Sequence, residues 1–193
     1  MRLPHLLARR TARIATTVLG GALIASTALA PGALAASPHA PTLVSADGDD
    51  SGRMMLVLDA SGSMKEKTGD GTTKIEAARG ALGSVVDKLS DSQDVGMRVF
   101  GATVFSRNDK GACTDTQKVV EPGTDNRDAL RAAISAYKPY GETPIGAALL
   151  EAARDLGDEG RRSIVLVSDG ESTCAPDPCK VAARISKQGI ELT

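Results

Sequence analysis

Histidine is nearly missing from this 193-residue chain: only His5 and His39 occur, both ahead of the region that patterns as folded. A Ser-His-Asp or Cys-His catalytic arrangement needs an imidazole base, so those mechanisms are set aside. Zinc loses its usual ligands for the same reason. Cysteine is scarce too, with none before Cys113, which excludes a lipid-anchored N-terminus. There is no basic surplus of the kind nucleic-acid binding needs, since the net charge is -1. Neither G-x-x-x-x-G-K-[ST] nor G-x-G-x-x-G occurs, so nucleotide cradling has no support.

The beginning of the chain reads as a targeting segment. Arg2, Arg9, Arg10 and Arg13 form a basic start, Ile14 to Ala30 is apolar and uncharged, and Ala33-Leu34-Ala35 gives an A-x-A cleavage pattern. That order predicts a signal peptide over residues 1–35. The alternative is a retained membrane anchor, but the small residues favour cleavage. The Arg9-Arg10 pair hints at the twin-arginine route. Cleavage removes four arginines and no acids, leaving a net charge of about -5. The expectation is a mildly acidic, soluble domain that is secreted or held in the cell envelope. Residues 36–52 lack apolar periodicity and read as a flexible linker. "DGDDSG" at 47–52 begins like an EF-hand loop, but the bidentate glutamate position falls on Leu58 inside an apolar run.

Export makes the cysteines readable as a disulfide framework. Cys174 and Cys179 bracket "CAPDPC", and this tight pair is the first expectation; Cys113 joined to either of them is the alternative.

From Arg53 onward, strands alternate with amphipathic helices. Met54–Leu58 is a continuous apolar run, as in a strand covered on both faces. Thr73-Lys74-Ile75-Glu76 is a capping box, followed by Ile75, Ala78, Leu82, Val85/Val86 and Leu89 at helical spacing. "DVGMRVFGATVF" predicts a strand, and "TQKVVEP" a short edge strand stopped by Pro122. A helix over 126–137 turns Leu130 and Ile134 inward. Another begins at Thr143-Pro144, with threonine as N-cap. "RSIVLVSDG" is a further apolar strand, Asp177-Pro178 opens a fourth helix, and Gly189 closes it before "IELT". The predicted class is α/β, Rossmann-like and doubly wound, with a mainly parallel sheet flanked by helices. The strands at 54–58 and 164–167 belong in its middle. No helix follows the last strand, so the domain over 53–193 is expected to be incomplete at its C-terminal end. Any membrane attachment would have to come from a segment beyond it.

Ligands of an open parallel sheet bind beyond the carboxyl ends of its strands. Two central strands end at Asp59 and Asp169, with Ser61 and Ser63 following the first and Thr143 available from a loop. This donor set contains oxygen alone, the environment preferred by Mg²⁺, Mn²⁺ or Ca²⁺. A lone D-x-S-x-S arises by chance in about one chain in twenty of this size. Its position at the end of a buried strand, with two further elements in order, makes it specific.

The conjunction resembles the von Willebrand factor type A (VWA) domain and its metal-ion-dependent adhesion site, in an exported bacterial form. "DASGS" at 59–63, "GETPIG" at 141–146 and "LVSDGES" at 166–172 match the family pattern at all five positions. The resemblance implies that Asp59, Ser61, Ser63, Thr143 and Asp169 hold a divalent cation, Mg²⁺ first. It also implies that the ion accepts a carboxylate from a partner protein, with no enzymatic activity. Two rivals stand beside this reading. A Mg²⁺-dependent phosphatase or phosphotransferase would use Asp59 as nucleophile, but needs a second carboxylate two residues on, where Ser61 stands. The other is a metal-free interaction scaffold.

Overall fold

A computed structural model describes residues 52–193. The expected signal peptide and nearly all of the linker lie outside the described residues. The chain order is β1 (Arg53–Asp59), α1 (Lys74–Lys88), β2 (Val95–Phe100), β3 (Thr116–Gly123), α2 (Arg127–Ala136), α3 (Ile145–Leu156), β4 (Arg162–Val167), α4 (Pro178–Ser186) and β5 (Ile190–Leu192). The five strands form one sheet in the order β3-β2-β1-β4-β5. β1 runs parallel to both β2 and β4, β5 is parallel to β4, and only β3 is antiparallel. The expected Rossmann-like α/β class is what the sheet and its four helices show.

Helices cover both faces, and the strands show why. Successive side chains of a strand point to opposite sides. Leu56 and Leu58 of β1 join Met97 and Val99 of β2 under α1 and α2, packing on Leu82, Val86, Leu130 and Ile134. Met55 and Val57 join Ile164 of β4 under α3 and α4, packing on Leu149, Leu156, Val181 and Ile185. β1 is thus apolar throughout because both of its sides are core. β4 is interior but less covered: Ile164 is buried while Val165 and Val167 are only half-buried. Among the described residues no helix is long and apolar enough to cross a membrane.

Local signals account for several boundaries. The Thr73 amide donates to Glu76 Oε2 at 2.8 Å and the Glu76 amide to Thr73 Oγ1 at 3.4 Å, closing the capping box of α1. Asp177 caps α4 by accepting from the amides of Cys179 and Lys180. β2 ends at Phe100 because Gly101 turns the chain with φ +69°, a conformation that side chains rarely adopt.

Three expectations need correction. Pro122 does not stop β3, which runs on to Gly123. The ladder slips between Val95 and Met97, so the missing proline N–H falls at an irregularity of an edge strand. Thr143 is not the N-cap of α3. Pro144 occupies that position without a side-chain cap, and the Thr143 amide donates instead to Thr173 Oγ1 at 2.9 Å.

The third correction is the disulfide, which joins Cys113 to Cys174, with Cα atoms 5.3 Å apart, and leaves Cys179 exposed as a thiol. The Asp177 cap fixes Cys179 in the first turn of α4, facing solvent, while Cys174 is buried. The bridge spans 61 positions, so removing it as Cys113→Ser is expected to cost about 2–4 kcal/mol of stability. Alkylating the unreduced protein should label Cys179 alone; a bridged Cys179 in peptide mapping would refute this pairing.

Candidate functional site

Because β1 and β4 are parallel and adjacent, both deliver their ends to one edge of the sheet. β1 supplies Asp59, wholly buried, and Asp169 lies two residues beyond β4. A 3-10 turn, Gly62–Lys65, follows β1 and sinks Met64 into the core, which presents Ser63 beside Ser61. The third contributor is the loop before α3. Ser61 pairs with Gly141, and the Gly62 amide donates to the Gly141 carbonyl at 3.0 Å. Thr143, two residues on, is buried, and its carbonyl accepts from Ser172 Oγ at 2.9 Å and from the Thr173 amide at 3.2 Å. All five expected residues therefore stand on one rim.

Gly101 underlies that junction. A Cβ there would come within 2.6 Å of the Glu142 carbonyl and 2.9 Å of Ser61 Cα. Glycine is what allows the three segments to meet.

A chain of short contacts links the polar groups. Asp59 Oδ1 accepts from the Ser61 amide at 2.7 Å, and Oδ2 accepts from Ser168 Oγ at 2.6 Å. The hydroxyls of Ser61 and Ser63 lie 3.1 Å apart, and Ser63 donates to Asp169 Oδ1 at 3.0 Å. Asp169 Oδ2 in turn accepts from the Lys74 ammonium at 2.7 Å, which also meets Glu66 at 2.6 Å. Burial pushes the Asp59 carboxyl above its usual range, against the hydrogen bonds from Ser168 and Ser61 that favour its charge; the Asp169 charge pushes the same way as burial. The hydrogen bonds to Asp169 and Glu66 raise the Lys74 ammonium.

The donor set fits a hard divalent cation. Two carboxylates and two hydroxyls are linked by short contacts, and the Ser61–Gly141 pairing brings the segment of Thr143 alongside. Among the described residues there is also no group of three or more His, Cys, Asp or Glu placed to hold an ion. A site here draws on hydroxyl oxygen, which adds no formal charge and selects against soft metals.

Three participants lie outside the sequence expectation. Ser168 sits inside the "LVSDGES" motif and could have been read from its place beside Asp169. Lys74 and Glu66 carry no such signal: a lysine in the first turn of a helix is ordinary, and only the fold brings its ammonium to Asp169.

Comparison with known proteins gives a consistent picture. The family model described as von Willebrand factor type A domain matches residues 54–171. The protein YwmC of Bacillus subtilis is 30% identical over 142 residues, which cover 71% of this chain and 62% of the relative. The chain thus spans about three fifths of that relative's length. Among solved structures, manganese-loaded TRAP protein of Plasmodium vivax aligns with a TM-score of 0.55 and 18% identity, over 75% of this chain and 56% of that one. Proximal thread matrix protein 1 from the mussel byssus, with a zinc-occupied MIDAS motif, aligns with a TM-score of 0.54 and 13% identity, over 73% and 36%. At such identities the two structures speak for the fold.

Proposed function

The chain belongs to the von Willebrand factor type A family, and on that premise we propose that it is a divalent-cation-dependent protein-binding module acting outside the cytoplasm. Asp59, Ser61, Ser63, Thr143 and Asp169 would hold the ion. The observation that carries this reading is the line of contacts from Asp59 through Ser61 and Ser63 to Asp169 on one rim, with the segment of Thr143 brought alongside by the Ser61–Gly141 pairing. When bound, the cation supplies an electrophilic centre that accepts a carboxylate oxygen of a partner protein.

The residues around the site have separable tasks. Ser168 and the Ser61 amide orient both oxygens of Asp59. Asp59 is a buried carboxylate that burial alone disfavours as an anion, so a cation beside it offsets a cost the fold already carries. Ser61, Ser63 and Thr143 contribute oxygen without charge, leaving the ion short of compensation and receptive to an outside carboxylate. The metals named for the two structural relatives, manganese and zinc, support a divalent ion; the oxygen-only donors here favour Mg²⁺ or Mn²⁺. The Cys113–Cys174 bridge fits an oxidising compartment. No nucleic acid or nucleotide enters this reading.

Calorimetric titration of the purified chain with Mg²⁺ and Mn²⁺ tests it directly, with saturable one-site binding expected and none after Asp169→Ala. An absence of metal binding by the wild-type chain would favour the metal-free scaffold. Turnover of a phosphate ester that vanishes in Asp59→Asn would instead establish the enzyme.

Lys74 offers a finer check. Its ammonium is a competing positive charge on Asp169. Removing the ammonium takes away that opposing charge and frees Asp169 Oδ2. Lys74→Met is therefore expected to tighten Mg²⁺ binding about tenfold in the same titration. Weaker binding would mean that Lys74 serves to position Asp169.

A further inference from the structure

Four aromatic residues occur in the whole chain: Phe100, Phe105, Tyr137 and Tyr140. Phe100 is buried and Tyr137 packs partly against the core. The other two are the large hydrophobic side chains left exposed among the described residues, Phe105 at 66% and Tyr140 at 38%. They lie together, with ring centroids 4.9 Å apart in an edge-to-face arrangement. Lys65 places its ammonium 4.5 Å from the Tyr140 ring centre and makes no ion pair among the described residues. Arg107 completes the patch. Its guanidinium is 3.7 Å from Glu142, and one of its nitrogens lies 3.5 Å from where a Cβ on Gly62 would stand.

This cluster borders the candidate ion site. The Tyr140 amide donates to the Ala60 carbonyl at 2.9 Å, one residue from Asp59. Lys65 follows Ser63 by two positions, and Glu142, the partner of Arg107, precedes Thr143. Two aromatic faces and two cations therefore flank the ion ligands, on a domain whose charge after residue 35 is about -5.

Fold stability does not account for the patch. The loop that carries Phe105 and Arg107 is fastened at its base. Buried Asp115 accepts from the amides of Thr103 and Val104 at 2.8 and 2.9 Å, and Cys113 is bonded to Cys174. Phe105 takes no part in that fastening and leaves most of its surface in water, forming with Tyr140 a contiguous exposed apolar patch of the kind that marks interaction sites.

We propose that Lys65, Phe105, Arg107 and Tyr140 form a specificity surface for an acidic protein segment. Its first carboxylate reaches the ion, an apolar or aromatic side chain beside it packs on Phe105 and Tyr140, and a second acidic residue meets Lys65 and Arg107. This rests on the ion-dependent reading above and goes beyond it by naming what surrounds the carboxylate. Interface anchors are typically rigid aromatics and arginines with complementary charge, which matches this composition.

The test is selection of a random peptide display library on the immobilised full chain in millimolar Mg²⁺, repeated with EDTA. Enriched sequences are expected to pair two acidic residues with an apolar or aromatic one within a few positions, and to vanish with EDTA. A synthetic peptide of the enriched sequence should bind Phe105→Ala or Lys65→Gln about tenfold more weakly than wild type. Mn²⁺ affinity measured by calorimetry should stay unchanged in both variants. Absence of enrichment, or enriched acidic peptides without the apolar position, overturns the proposal. So does equal peptide binding by wild type and both variants. If metal binding is intact in those cases, the ion reading survives. If metal binding is itself missing, both fail.

Discussion

Replacing Asp59 by alanine is expected to abolish divalent-cation binding while the domain stays folded. Asp59 ends the central strand, is wholly buried, and has both carboxylate oxygens fixed by Ser61 and Ser168. No other carboxylate in the set is placed this deeply, since Asp169 is already shared with Lys74 and Ser63. Removing the Asp59 carboxylate leaves the Ser61 amide and the Ser168 hydroxyl without that acceptor, a loss offset in part by the relief of a desolvated anion, so the metal-free domain should stay folded. The contrast appears on adding metal. At a hundredfold excess over its dissociation constant, a ligand that binds only the folded state adds about 2.7 kcal/mol. For a domain of this size that raises the melting temperature by roughly 5–10 °C. Wild type should show the rise with Mg²⁺ or Mn²⁺, and Asp59→Ala should show none. An equal rise in both would remove Asp59 from the site.

Asp155→Ala is expected to be strongly destabilising, although it removes no apolar core residue. Arg98 projects from β2 into that layer and is paired with Asp155 of α3 at 2.7 Å, the two side chains being 7% and 10% exposed. A second nitrogen bonds the same carboxylate oxygen at 2.9 Å, and a third meets Thr116 Oγ1 at 3.2 Å. Removing the carboxylate strands a guanidinium in a desolvated layer, which costs about 3–5 kcal/mol. The melting temperature should fall by on the order of 10 °C. The double variant Arg98→Met with Asp155→Leu should recover most of the loss, because a packed apolar pair replaces a pair that is expensive to desolvate. Denaturant titrations of the three proteins measure this. A loss below about 1 kcal/mol for Asp155→Ala would mean that nearby water already solvates the Arg98 guanidinium.

What could be read from the sequence followed from how far the decisive contacts reach. The capping box at Thr73 and the cap at Asp177 are set within three residues, and both were legible. The grouping of Asp59, Ser61, Ser63, Thr143 and Asp169 on one rim was legible as well, because parallel strands share an end and loops gather there. The Thr143 cap was misread because Ser172 and Thr173, thirty positions away, hold its backbone outside the helix. The cysteine pairing was misread because nearness along "CAPDPC" outweighed a turn that buries Cys174 against residues far upstream. Lys74 was invisible for a related reason. Its residue type and position suit any helix start, and only the packing of α1 against the rim gives its ammonium a carboxylate.

The loop between β2 and β3 is pinned at its root by Asp115 and by a covalent bond, yet its outer residues, from Phe105 to Gly111, contribute almost nothing to the core. Such an arrangement separates the part of the chain that must be conserved in shape from the part that can be rewritten. For a protein engineer, that tip is the natural graft site: residues can be exchanged or inserted there without moving Gly101, the strand ends or the five oxygen donors, so binding preference can be redirected while the scaffold stays as it is.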